Sequence, residues 1–139
     1  MAAGTFFNQF IEDVHHGVHN MSSDQLVVAL SSVAPVATNT VLANLTEISY
    51  TNMSTRNLTI SSEGQTSGDY DIVIADLVLT MTGSASPAFR YVSIYNDTPT
   101  SPADPLVAFY DRGSSSAIPD GESLTLDFPA LAWYSDDAA

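Results

Sequence analysis

The sequence predicts a mainly β protein, a single-domain β-sandwich or barrel of about 7–9 short strands with a short N-terminal helix. Three observations lead there. Short segments rich in Val, Ile, Leu, Tyr and Phe recur along the whole chain. Clusters of Gly, Pro, Asn, Asp and Ser separate them, which is turn chemistry. Only the first segment carries helical spacing. With 139 residues and no evident internal repeat, the chain reads as an N-terminal helical arm over residues 1–20 and a β-sandwich domain over 21–139.

The helix comes first. Phe6, Phe7, Phe10, Ile11 and Val14 fall on one face, with Asn8, Gln9, Glu12 and Asp13 between them. Thr5 is the expected N-cap, and Gly17 and Asn20 mark the end. The aromatic stripe suits core packing, or an arm that docks on a neighbouring subunit. Gln25–Ser31 is then a strand, and Ala34-Pro35-Val36-Ala37 a loop, because proline cannot donate to a central ladder. Val41–Tyr50 holds one short strand or a helical turn. Asn57–Ser62 alternates as a half-buried strand. Ser67-Gly68-Asp69 is a turn, and Tyr70–Ala75 and Leu77–Thr82 are apolar enough for central strands. Gly83–Pro87 is a loop.

Phe89–Tyr95 is the strongest strand, dense in aromatic and β-branched residues. Asn96–Pro105 holds three prolines and is a loop. Leu106–Tyr110 is a strand, and Arg112–Ser116 and Pro119-Asp120-Gly121 are turns. Ser123–Phe128 alternates cleanly, placing Leu124, Leu126 and Phe128 on one face. Leu131–Tyr134 adds a last short strand, and Asp136–Ala139 is expected to fray.

Charge is the most lopsided feature of the composition. Arg56, Arg90 and Arg112 stand against sixteen carboxylates, lysine is absent, and the net charge is −13. Such a surface repels nucleic acid and anionic membranes, so neither is an expected partner. Cysteine is absent, which removes thiol catalysis, Cys-based zinc sites and disulfides. The N-terminus has no basic segment followed by a long apolar run, so no signal peptide is expected. Five Asn-x-Ser/Thr sequons occur, at Asn20, Asn44, Asn52, Asn57 and Asn96, and read as accidents of a Ser/Thr-rich chain.

Constellations that could carry chemistry are sparse. His15 and His19 would share a helical face, and such a pair can hold a metal. Glu12 is the one near third ligand and Gly17 weakens the helix between them, so a polar helix end is the favoured reading. Asp69 and Asp71, and Asp120-Gly121-Glu122, lack the spacing of a calcium loop and read as solvated turns. Gly113-Ser114-Ser115-Ser116 lacks the second glycine of a nucleophile elbow. No catalytic, cofactor-binding or metal residue is therefore assigned, and the chain is not expected to be an enzyme. Arg90, between Phe89 and Tyr91, faces solvent or pairs with a carboxylate of a neighbouring strand or subunit. Arg112 has a local turn role. The interface candidates are Phe6, Phe7, Phe10, Ile11, Arg90 and Arg112.

Taken in order, a set of stretches resembles a family of small tailed-phage virion proteins. They begin with Phe6–Val14, continue through Gly17-Val18-His19-Asn20 into Ser23–Leu30, and include Ala34–Val41 and Leu45-Thr46-Glu47-Ile48. Gln65–Tyr70, Phe89–Asp97 and Leu106–Ser114 follow, and Asp120-Gly121-Glu122 and Leu126-Asp127-Phe128 complete them. Where the family shows a Gly-rich segment, this chain has Tyr50-Thr51-Asn52-Met53-Ser54-Thr55, so that loop is expected to differ. The resemblance implies a structural component of the particle with no enzymatic residue to carry over. Together with the acidity, it points to a capsid decoration (cement) protein. Such a protein would be made in the bacterial host cytoplasm and would sit on the outer capsid surface as a homotrimer bound to the major capsid protein. A tail or fibre-base component with a host-binding role is the alternative, and a carbohydrate-binding or hydrolytic β-sandwich is the third reading.

Overall fold

The computed structural model describes residues 1–133. Its elements run β1 (Thr5–Phe6), α1 (Gln9–His15), β2 (Leu26–Ser31), a 3-10 turn (Leu42–Asn44), β3 (Ile60–Thr66), β4 (Asp69–Ile74) and β5 (Leu77–Thr80). After these come β6 (Phe89–Asn96), β7 (Leu106–Ser116), β8 (Ser123–Leu126) and β9 (Leu131–Trp133). They form antiparallel sheets in the orders β1-β7-β6-β2, β3-β4-β9 and β5-β8. This is the mainly β, sandwich-like domain that the sequence predicts.

The four-stranded sheet is covered on both faces, and β2 shows why its sequence does not alternate. All six of its residues are buried. Leu26, Val28 and Leu30 point into the main core with Val92, Ile94, Ile72, Leu79 and Leu126. Val27 and Ala29 point the other way, onto a second cluster with Phe7, Tyr95 and Leu106, roofed by Leu42 and Leu45. The outer edge of β2 is also covered. Leu58 N–H donates to Leu26 O, Val28 N–H to Arg56 O and Ile48 N–H to Leu30 O. An edge covered in this way offers no free ladder to another chain.

Several expectations are corrected. Thr5 is not the helix cap, because Thr5 and Phe6 pair with Phe109 and Ala108 in the sheet. The helix begins two residues after Phe7 and ends in a Schellman motif, with Gly17 N–H on Val14 O and Val18 N–H on Asp13 O. Gly17, at φ 74, supplies the left-handed turn this needs. The strand expected at Asn57–Ser62 is divided. Asn57 bridges to Val27 on β2, and the regular strand starts only at Ile60, where the chain has crossed to β4. Of the two strands expected to be central, β4 lies inside its sheet but alternates, with Ile72 and Ile74 buried and Asp71 and Val73 exposed. β5 has one partner, β8, and exposes Val78.

Arg112–Ser116 is not a terminal turn either. β7 runs on to Ser116, which pairs with Phe89, while Asp111 pairs with Tyr91. Four residues on β7 therefore stand opposite Arg90 alone, an extended bulge. A smaller bulge lies at Val107, because Ile94 pairs with Ala108 and Tyr95 with Leu106. The turn expected at Ser67-Gly68-Asp69 is a hairpin with a two-residue loop, Ser67-Gly68, both at positive φ as right-twisted strands require, while Asp69 already pairs with Thr66. Leu126 and Phe128 are buried and Leu124 half-buried, as the alternation predicts. The fraying expected at Asp136–Ala139 lies outside the described residues.

Candidate functional site

α1 is only seven residues long. A helix this short has no stability of its own in water, so tertiary contacts hold it. Phe10 is buried in the core, and Phe7, just before the helix, lies in the second cluster beside Phe109, ring centroids 4.9 Å apart. Phe6 is half-buried and stacks on Phe10 at 4.8 Å. Two of the interface candidates, Phe7 and Phe10, are thus core residues of this chain. Ile11, partly exposed, faces a groove.

The groove has a volume of about 710 Å³ and runs between α1 with its following loop and the β3–β4 hairpin. Ile11, Val14 and Met21 give it an apolar floor on one side. On the other stand Tyr70 and Glu63, whose side chains are joined by a 2.6 Å hydrogen bond from Tyr70 Oη to Glu63 Oε2. Burial, more than that bond, raises the Tyr70 phenol well above its ordinary value.

Behind the groove lies a buried polar cluster. His19 is 9% exposed, Asp13 4% and Asn96 0%. Asn96 Oδ1 accepts from Thr98 N–H at 3.1 Å, which turns its amide nitrogen inward. That nitrogen donates to Asp24 Oδ2 at 2.7 Å and to His19 Nδ1 at 3.0 Å. Asp24 Oδ2 also accepts from Asn20 N–H at 2.9 Å. His19 Nδ1 is therefore an acceptor, and the neutral ring carries its proton on Nε2. Nε2 stands 3.9 Å from Asp13 Oδ2, and neither atom makes a hydrogen bond. Asp13 is held through its other oxygen by Gln9 Nε2 at 3.2 Å. Burial pushes the His19 imidazole below its ordinary value, against the opposing pull of Asp13 and Asp24.

This cluster replaces the shared face expected for His15 and His19. The helix stops at His15, and Gly17 turns the chain, so His19 enters the interior while His15 stays at the rim. Among the described residues, no group of three or more His, Asp or Glu side chains is placed to hold a metal ion. The one signal in the sequence was Gly17 itself: a helix stop between the histidines separates them. Nothing in the sequence pointed to Asn96, whose burial also removes it as a glycan acceptor in the folded chain.

The arginines are engaged within the chain. Arg90 holds Asp111 by two bonds, Nε to Oδ1 at 2.8 Å and Nη2 to Oδ2 at 3.0 Å. Arg112 donates to Phe89 O at 2.8 Å and to Ser116 Oγ at 2.9 Å, and lies 4.3 Å from the Phe89 ring centroid. Arg56, given no role from sequence, lies 3.6 Å over the Tyr50 ring and donates to Val28 O. Tyr50 in turn donates to Glu47 at 2.6 Å and accepts from Leu30 N–H. The Tyr50–Thr55 segment thus begins with the tyrosine that fastens it to β2.

No protein-family model, curated protein or solved structure matches this chain. Among the described residues, no helix is long and apolar enough to cross a membrane.

Proposed function

We propose that this chain is a tailed-phage virion structural protein, a capsid decoration (cement) protein bound on the outside of the head as a homotrimer. It would clamp neighbouring subunits of the major capsid protein through buried area rather than by chemistry. The reading starts from the whole-length sequence resemblance. The observation that carries it further is the engagement of Arg56, Arg90 and Arg112 inside the chain. The surface turned to solvent is then dominated by carboxylates and hydroxyls. Such a surface suits the outside of a particle, where like charge keeps assembled heads apart and soluble. It is poorly suited to the inside, against packaged DNA.

The test is localisation on intact particles. Antibody raised against the chain should decorate heads, and a density map of the virion should show it above the joints between capsid subunits. Label confined to tails would replace this reading with the tail or fibre-base alternative. Absence from purified particles would overturn both.

A further inference from the structure

The polar cluster behind the groove joins three parts of the chain that are far apart in sequence. His19 and Asp24 belong to the loop between α1 and β2, Asp13 to α1, and Asn96 to the end of β6. Asn96 is the hub, and both of its amide protons are committed. Oδ1 takes Thr98 N–H, and the two amide protons go to Asp24 and His19.

We propose that the His19–Asn96 bond is an acid-released latch: protonation of His19 on Nδ1 breaks it and frees the Gly17–Ser23 stretch, the wall of the groove, from the end of β6, while Asp24 keeps its own bond to Asn96. The chemistry follows from the donors. A proton on Nδ1 points at an N–H of Asn96, so an attractive contact becomes donor against donor. Turning the amide over does not rescue it. Oδ1 would then face the Asp24 carboxylate, and Nδ2 would face Thr98 N–H. The cheaper response is for the imidazolium to leave, and the loop with it.

The groups around the ring set the balance. From α1 it meets Phe10, with centroids 5.1 Å apart, and the Asp13 carboxylate. From its own loop it feels Asp24, and from β6 the uncharged Asn96. Glu63 of β3, Tyr70 of β4 and His15 of α1 line the same groove. Glu63 is already bound to Tyr70. Asp13 and Asp24 favour the charged ring, yet burial outweighs them. The charged form is therefore better accommodated once the loop has opened to water, which is the condition for a latch. This inference does not depend on where the chain is located.

Backbone hydrogen exchange in the full chain tests it, between about pH 7.5 and about pH 5, with intrinsic exchange rates divided out. The amides of residues 17–23 should lose about tenfold or more in protection on acidification, while those of β6 and β7 change less. His19→Asn keeps an acceptor near the Nδ1 position and cannot titrate, so its loop protection should be independent of pH over that range. Equal loss of protection in H19N, or none in the wild-type chain, overturns the latch. Should H19N fail to fold, the imidazole titration of the wild-type chain decides by NMR. The His19 ring must titrate together with the loss of protection, and below the ordinary histidine value. Titration at or above the ordinary histidine value, or loop opening at a different pH from the ring, overturns it as well.

Discussion

Arg90 and Asp111 meet across β6 and β7 at the point where the ladder breaks, joined by bonds of 2.8 and 3.0 Å. The contact sits at the mouth of the bulge that runs from Asp111 to Ser116. Asp111 Oδ1 also accepts Gly113 N–H at 2.7 Å, so one carboxylate organises the whole excursion. The Arg90 bonds first, and Gly113 second, hold the Asp111 carboxyl below its ordinary range.

Arg90→Gln should therefore loosen residues 111–116 without releasing the core. A carboxyl depressed in the folded state contributes stability above its unfolded pKa, and that contribution is lost as pH falls through the folded value. The wild-type chain should show this acid loss and R90Q a smaller one, because its Asp111 has lost its main partner. Both side chains are about two-fifths exposed, so the effect at neutral pH should be small. Thermal midpoints from about pH 6 downward measure it, and identical acid limbs for the two chains would refute the assignment.

The N-terminal segment should behave as part of the fold rather than as a detachable arm. Phe7 is 1% exposed and Phe10 3%, and both lie in apolar clusters. Truncating a buried Phe to Ala costs about 3–5 kcal/mol. Phe7→Ala and Phe10→Ala should each lower the unfolding free energy by an amount in that range, seen as a lower urea midpoint, and removal of residues 1–14 should abolish cooperative unfolding. A truncated chain with the wild-type midpoint would restore the arm.

Arg56 should matter more than its surface position suggests. Its guanidinium stacks on Tyr50 and reaches Val28 O at the edge of β2. Lysine has no flat face to stack and one point of charge, so it cannot make both contacts. Arg56→Lys should cost about 1–2 kcal/mol and expose the Val28 and Leu30 amides to faster exchange. An unchanged midpoint would show that the 47–58 segment is held by its backbone bonds alone.

What was legible in the sequence follows from how local the cause was. Ser67-Gly68 and the Ser123–Phe128 alternation were readable because turn geometry and period-2 burial are set within a few residues. The helix start was misplaced because Thr5 and Phe6 obey Ala108 and Phe109, more than a hundred residues away in the chain. The bulge after Asp111 reads as a turn in the sequence, since Arg112-Gly113-Ser114 has turn chemistry and only the partner strand shows that pairing resumes at Ser116. The His19 cluster was invisible for the same reason. Its hub, Asn96, is 77 residues from His19, and an asparagine after a strand normally signals a loop.

Gly4 should resist substitution for a reason that is not conformational. A Cβ there would lie 2.7 Å from Leu131 Cδ2 and 2.8 Å from two atoms of the Tyr110 ring. Tyr110 cannot retreat easily, being 1% exposed and tied to Pro129 O by a 2.9 Å bond. Overpacking of this kind costs about 1–3 kcal/mol. Gly4→Ala should lower the melting midpoint, and Tyr110→Phe, which removes only the hydroxyl, should lower the stability by about 1 kcal/mol. If G4A melts as the wild type does, Leu131 and the Tyr110 ring give way at Gly4 without cost.

Salt separates the two ways in which copies of this chain could meet. With −13 per chain, carboxylates crowd wherever two copies approach, for example around a three-fold axis. Screening shortens their reach to about 8 Å at about 0.15 M ionic strength and to about 3 Å at about 1 M. Ion pairs between copies would weaken under the same screening. Arg90 and Arg112 are occupied by Asp111, Phe89 and Ser116 of their own chain, so they are poorly placed to supply such pairs. On the proposed decoration role, self-association and binding to shells should therefore hold or strengthen as salt rises from about 0.05 to about 1 M, because repulsion is the electrostatic effect being removed. Oligomer mass by light scattering and occupancy on particles both report it. Dissociation with rising salt would mean that the arginines leave their partners within the chain on assembly, and R90Q would then have to abolish the association it is expected here to leave intact.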